Sequence, residues 1–197
     1  MDFELVEETT YEEQSLVDCS FVELSVNHVT FKSCSLQSVD FSQGHFRQMD
    51  FTDCTLNDCS FANADLTKAI VHRSKFINCR MTGSVWPEAY FRDVLFEGCK
   101  CDCASFKFAH FKTCKLQSTL FNDAELSRAR FQKVKLDECD LRRAELSGLS
   151  LRGVDLRTCE IEGMAASVKD LQGAIIDSTQ AMLVCSQLGL TVKFGER

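Results

Sequence analysis

Proline and tryptophan each occur once in 197 residues. No apolar run reaches the ~18 residues that a membrane-crossing helix needs, which excludes a helical span. The opening Met1-Asp2-Phe3-Glu4-Leu5-Val6-Glu7-Glu8 has no basic n-region and no apolar h-region, so no signal peptide is expected there. Basic residues are in deficit, with 22 Lys and Arg against 29 Asp and Glu and a formal charge of -7. That balance argues against a general nucleic-acid or anionic-membrane binder, but permits a partner that itself binds a polyanion. Twelve cysteines would suggest disulfides in a secreted chain. Without a leader, the expected compartment is cytoplasmic and the thiols reduced. No Gly-rich phosphate loop, Cys–His pairing or Ser–His–Asp arrangement stands out, so no enzyme activity, cofactor, metal or small-molecule substrate is expected.

What the chain has is a repeat. Stepping by five from Tyr11 to Ile161 gives 31 positions without a slip, and 24 of them are Leu or Phe. Phe31, Phe51, Phe91, Phe111 and Phe131 belong to this series of centres and are expected in the core. Two residues before each centre runs a second series. Its 30 members from Gln14 to Cys159 include 21 that are Cys, Ala, Ser, Thr or Gly, and nine of the cysteines lie there.

A period of five matches neither the helical 3.6 nor the strand's 2. Positions two apart do share one face of a strand, so the small residue and the centre can both point inward. Five is odd, and a continuing strand would put the next centre outside. The chain must therefore turn once per repeat, wind into a coil, and stack its coils as parallel strands.

Units such as Ala64-Asp65-Leu66-Thr67-Lys68, Cys139-Asp140-Leu141-Arg142-Arg143 and Val154-Asp155-Leu156-Arg157-Thr158 resemble the pentapeptide-repeat family. That resemblance covers residues 11 to about 175. It implies an all-β, right-handed, four-sided β-helix of about eight coils, roughly 37 Å long at the parallel-strand spacing. The organisation expected is an N-terminal cap over 1–13, the β-helix over 11–175, and a capping and dimerisation segment over 176–197.

The period fails after Ile161. Ser178 is expected to cap a short helix from Gln180 to Leu188, with Gly189 as its stop. Leu190 to Phe194 alternates like an edge strand. Asp170-Leu171-Gln172-Gly173-Ala174, Gln180-Ala181 and Leu188-Gly189-Leu190-Thr191-Val192 resemble the tail of the Qnr and MfpA branch, of the type without long loops. That resemblance implies a homodimer joined through Met182, Leu183, Leu188, Leu190, Val192 and Phe194. It also implies DNA gyrase and topoisomerase IV as partners, protection of them against fluoroquinolones, and partial mimicry of duplex DNA. Direct nucleic-acid binding is not expected. A structural or adaptor module with another partner is the alternative.

The cysteines read as small buried fillers, equivalent to Ala. Cys59, Cys79 and Cys99 should form one column, and Cys101 takes a large-residue slot near Met81 and Phe121. All four histidines fall at outward positions. Sorting charge by wall gives +4 around Phe31, -3 around Phe21, -2 around Leu16 and 0 on the fourth, which departs from a uniformly negative rod. Outward apolar residues gather between 70 and 120. Ile70, Val85, Tyr90, Leu95 and Phe108 are the candidate partner patch.

Overall fold

The computed structural model describes residues 3–193. Two short strands form in each of seven successive coils. They are β1 (Thr10–Glu12), β2 (Ser15–Val17), β3 (Thr30–Lys32), β4 (Ser35–Gln37), β5 (Asp50–Thr52), β6 (Thr55–Asn57) and β7 (Ile70–His72). The series continues with β8 (Lys75–Ile77), β9 (Tyr90–Arg92), β10 (Leu95–Glu97), β11 (His110–Lys112), β12 (Lys115–Gln117), β13 (Arg130–Gln132) and β14 (Lys135–Asp137).

Odd and even strands make two parallel sheets of seven strands each. Every pairing steps by 20 residues, as in Phe31↔Phe51 and Leu36↔Leu56. Two further walls are held by single bridges, such as Asp40↔Ser60 and His45↔Asp65. The first face thus carries Phe31 and its register mates, the second Leu36, the third Phe41 and the fourth Phe46.

The turn demanded once per repeat lies two residues after each centre. There the backbone takes left-handed angles, as at Asp53 (φ 58), Asn63 (φ 57) and Asn78 (φ 52). Asn and Asp adopt this region more readily than most residues. The same angle at Phe108 (φ 60) places a large ring outside the solenoid.

The corners are of two chemical kinds. After the third and fourth faces, the turn closes on itself, as in Ala64 N–H to Phe61 O at 3.0 Å and Ala109 N–H to Phe106 O at 3.0 Å. Alanine suffices there. After the first and second faces up to residue 138, that bond is missing, and at most of these corners a polar small side chain replaces it, with Val39, Val94 and Val134 as the exceptions. Ser74 Oγ donates to Phe51 O at 3.0 Å and accepts from Cys54 N–H at 2.9 Å. Cys54 Sγ donates to Phe31 O at 3.3 Å, and Cys59 and Cys79 donate to Leu36 O and Leu56 O at 3.5 Å. An unpaired buried carbonyl would cost about 1–3 kcal/mol, which the thiols offset. The cysteines are therefore corner hydrogen-bond donors as well as filler.

The axis is packed by stacked rings. Phe31 and Phe51 lie 5.5 Å apart at 6°, Phe41 and Phe61 4.9 Å apart at 5°, and Phe91 and Phe111 4.7 Å apart at 16°. The coil spacing sets the distance between rings, and most register mates use it to stack, while Phe111 and Phe131 meet edge-on at 78°. Phe31, Phe51, Phe91 and Phe111 are buried, whereas Phe131 is half-buried. Trp86 substitutes for a Phe or Leu centre and donates its indole N–H to Ser84 Oγ at 2.8 Å. Cys101 in its large-residue slot places Sγ 3.6 Å from Met81 Sδ.

Both described ends are covered differently. Phe3 packs on Tyr11 with ring centroids 4.9 Å apart, and Tyr11 Oη donates to Glu4 O at 2.8 Å. At the other end stand α1 (Val168–Leu171) and α2 (Ser178–Gln187). The cap of α2 is Asp177, not Ser178, which lies inside the helix. Asp177 wins because Gln180 completes a reciprocal capping box with it. Gly189 (φ 74) ends α2 through Gly189 N–H to Ser186 O and Leu190 N–H to Cys185 O, at 3.0 and 2.9 Å. The expected edge strand does not form over residues 190–193. Phe194 lies outside the described residues.

The ladder on the first two faces ends early. Thr113 N–H donates to Gln132 O and Ser118 N–H to Asp137 O, both at 2.8 Å. One coil later, among the described residues, Lys133 N–H makes no bond of this kind and Glu138 N–H goes to Thr158 Oγ1 at 3.1 Å instead. The coil above has closed corners on these faces, Val154 N–H to Leu151 O at 2.9 Å and Cys159 N–H to Leu156 O at 2.8 Å. The third and fourth faces stay paired, through Leu141 N–H to Glu160 O and Leu146 N–H to Ala165 O, both at 2.8 Å.

Candidate functional site

The candidate surfaces are an apolar set, a charged wall, the C-terminal end and the thiol column. The solenoid does not bring the apolar set together. Ile70 and Tyr90 are register neighbours on the first face, Val85 stands on the fourth, and Leu95 on the second. Phe108 projects from the corner between the fourth and first faces. Ile70 is 48% exposed and Phe108 39%, while Val85, Tyr90 and Leu95 are half-buried. Phe108 is flanked by cations, with Lys107 Nζ 5.9 Å and Arg128 Cζ 5.7 Å from its ring centre. Coil stacking thus leaves two separate exposed apolar points, Ile70 and Phe108, each in polar company.

The charged first face is divided along its length. Near the N-terminal end its cations are neutralised, Lys32 by Glu12 at 2.7 Å, Arg73 by Asp53 at 2.6 Å, and Arg92 by Asp93 at 3.3 Å. The Arg73 hydrogen bond holds the Asp53 carboxyl below its ordinary value. Toward the C-terminal end, Lys112, Arg130, Lys133 and Arg152 have no ion pair among the described residues. Sequence reading found the excess positive charge on this wall. Two of the partners, Glu12 and Asp53, lie 20 residues away in the neighbouring coil and are invisible to a linear reading, whereas Asp93 is the residue next to Arg92.

At the C-terminal end, Met182 and Leu183 are half-buried, and Leu183 packs on the core with Val184. Leu188, Leu190 and Val192 are exposed, at 46%, 57% and 45%. A shallow, mainly apolar groove beside them is lined by Val168, Leu171, Ile176, Val184 and Leu188. Val168 and Ile176 escaped the sequence reading because they follow the last regular centre, where the period no longer assigns a side.

Several of the buried thiols are held in the protonated form. Burial pushes the Cys54 thiol up to about 12 and the Cys114 thiol up to about 11. Neighbouring thiols and burial also raise Cys79 and Cys139. Cys103 is exposed. Among the described residues, no three His, Cys, Asp or Glu side chains converge as metal ligands, and no helix is long and apolar enough to cross a membrane.

No curated protein matches the chain in sequence. Among solved structures, a trypsin-treated variant of QnrB1, described as a plasmid-mediated fluoroquinolone resistance protein, superposes with a TM-score of 0.66 at 15% identity. The superposition covers 95% of this chain and 93% of that one. HetL, a pentapeptide repeat protein involved in heterocyst differentiation regulation from the cyanobacterium Nostoc, matches at 18% identity with a TM-score of 0.37, covering 87% and 91% of the two chains. The pentapeptide repeat region itself matches residues 5–70 and 94–166. With a five-residue period, 20-residue coils and that match over most of its length, the chain belongs to the pentapeptide-repeat family.

Proposed function

We propose that this protein is a cytoplasmic, dimeric binding rod that engages DNA gyrase or topoisomerase IV and protects or modulates it. The observation that carries the reading is the C-terminal end. Leu188, Leu190 and Val192 stand exposed beside an apolar groove, in a tail whose residues resemble the Qnr branch. A solenoid end left apolar calls for a cover, and a second copy meeting it about a two-fold axis would supply one. Met182 and Leu183 would contribute from α2. The end-to-end likeness to QnrB1 supports the architecture this requires. The acidic second and third walls are the faces suited to occupy a DNA site on such an enzyme. The divided charge of the first face argues that contact uses particular walls.

The test is a titration of purified protein into gyrase supercoiling and cleavage-complex assays, with and without a fluoroquinolone. Inhibition or drug rescue at low micromolar concentration or below is expected. No effect at high concentration would overturn the reading.

A second reading, an adaptor for a different protein partner, is favoured by the exposure of Ile70 and Phe108. A pull-down that enriches another protein, and loses it with Phe108→Ser, would support it.

A further inference from the structure

The edge where the first two sheets stop has two features found together nowhere else on the described rod. The first is free main chain. Each lower corner passes an N–H to the coil above, as Asp93 does to Lys112 O at 2.9 Å, but Lys133 N–H makes no such bond among the described residues. Phe131 is correspondingly half-buried, where Phe31, Phe51, Phe91 and Phe111 are at most 1% exposed. Val134 and Leu136, at 9% and 7%, line a shallow hollow with Gly153.

The second feature is unopposed positive charge. Lys112, Arg130 and Lys133 on the first face meet Lys115 and Lys135 on the second, and none has an ion pair among the described residues. Lys115 and Lys135 are direct register partners in the parallel ladder. Like charges so placed repel. The local acids do little to relieve this. Asp155 is held by Arg157 at 2.7 Å, Glu138 accepts from Ser118 at 3.0 Å, and Asp137 is left beside Lys135.

We propose that this edge docks an extended acidic segment of a protein partner. The segment's main chain pairs with β13, whose corner N–H is free among the described residues, whereas the Glu138 N–H beside β14 is taken by Thr158; its carboxylates lie against Lys115, Arg130, Lys133 and Lys135. The alternating N–H and C=O groups of a sheet edge are matched by another strand, whereas a phosphate polyanion offers no donors in return. Carboxylates beside the strand would neutralise the stacked lysines. The inference is independent of the topoisomerase reading, since it requires neither that partner nor a dimer.

The experiment uses the full chain and a fluorescein-labelled peptide of alternating Glu and Thr, followed by anisotropy and by amide exchange over residues 130–138. Binding should slow exchange there, and Lys133→Glu with Lys135→Glu should weaken it about tenfold or more. Both side chains are exposed, and Glu138 already occupies the left-handed corner position that Lys133 holds (φ 52 and 56), so the variant should fold; its melting curve checks this. A peptide N-methylated at alternate residues keeps its charge but cannot pair as a strand, and should not bind. The proposal is overturned if the unmodified peptide fails to bind, if the N-methylated peptide or the charge-reversed protein binds equally well, or if duplex DNA displaces the peptide.

Discussion

Gln180 Nε2 donates to the main-chain oxygen of Leu156 at 2.7 Å, and the same nitrogen reaches Cys159 O at 2.8 Å. One buried amide thereby fastens α2 to the last regular corner. Gln180→Leu leaves Cys159 O unpaired, leaves Leu156 O with only its bond from Cys159 N–H, and removes the Gln180 half of the capping box with Asp177. A loss of about 1–3 kcal/mol is expected, read by denaturant unfolding, with faster amide exchange confined to α2.

Ser84 Oγ is the acceptor for the Trp86 indole N–H and donates to Met81 O at 2.7 Å. Ser84→Ala strands that N–H in the axis, at an expected cost of about 1–3 kcal/mol. Trp86 is the single tryptophan, so its fluorescence reports unfolding at this coil directly. An unchanged midpoint would mean the indole bond contributes nothing.

The corner chemistry predicts a ranking at Cys54. Ser74 shows that a hydroxyl fills the equivalent place one coil later, so Cys54→Ser should be tolerated within about 1 kcal/mol. Cys54→Val removes the donor to Phe31 O and should be clearly worse. In the native protein, Cys103 should react first with a thiol reagent. Cys54 and Cys114, held at about 12 and 11 by burial, should react only on unfolding.

Acid should destabilise the rod through its arginine-paired aspartates. Hydrogen bonds from Arg157 bring the Asp155 carboxyl from 3.8 to about 2, and Arg142 and Arg143 lower Asp140 and Asp123 in the same way. A lowered carboxyl stabilises fully above its unfolded value and loses that contribution as pH falls through its folded one. Melting temperature should therefore hold above pH ~4 and fall between ~4 and ~2. Asp140→Asn should shallow that acid limb, and NMR titration of Asp155 should give a midpoint near 2.

Changing Leu188 and Leu190 to Asp should give soluble monomers by light scattering. Neither side chain belongs to the core, so the fold should persist. A mass that stays dimeric would place the interface elsewhere.

Much of the core was legible because five-residue spacing leaves little freedom. Once Phe31 points inward, the alternation of a strand and one bend per repeat put Phe51, Phe91 and Phe111 on the same axis. The exception, Phe131, fails for a reason no period contains, since its neighbour in the next coil makes a different corner. The tail was legible as a helix with a glycine stop. Its start was misplaced by one residue because Asp177 and Ser178 are both competent caps, and only the Gln180 side chain chooses between them.

The functional surfaces were less legible. Register placed Ile70, Val85 and Leu95 outward, yet coil stacking left only Ile70 largely exposed and dispersed the set over three faces. Cysteine filler was read correctly as to place. Its hydrogen-bonding role depends on which corners close their own turn, a choice made by packing between coils.

By itself the sequence determined the winding, because a short repeat of small and large apolar residues admits one inward series and must turn to keep it there. It also determined the sign of each wall, since charges ride on the outward positions. Only the tertiary structure decided which charges are neutralised and where the ladder stops. The ladder, its corner bonds and ion pairs such as Lys32–Glu12, Arg73–Asp53 and Arg143–Asp123 depend on residues 20 apart in the chain being brought to one strand spacing, whereas Arg142–Asp140 and Arg157–Asp155 are local.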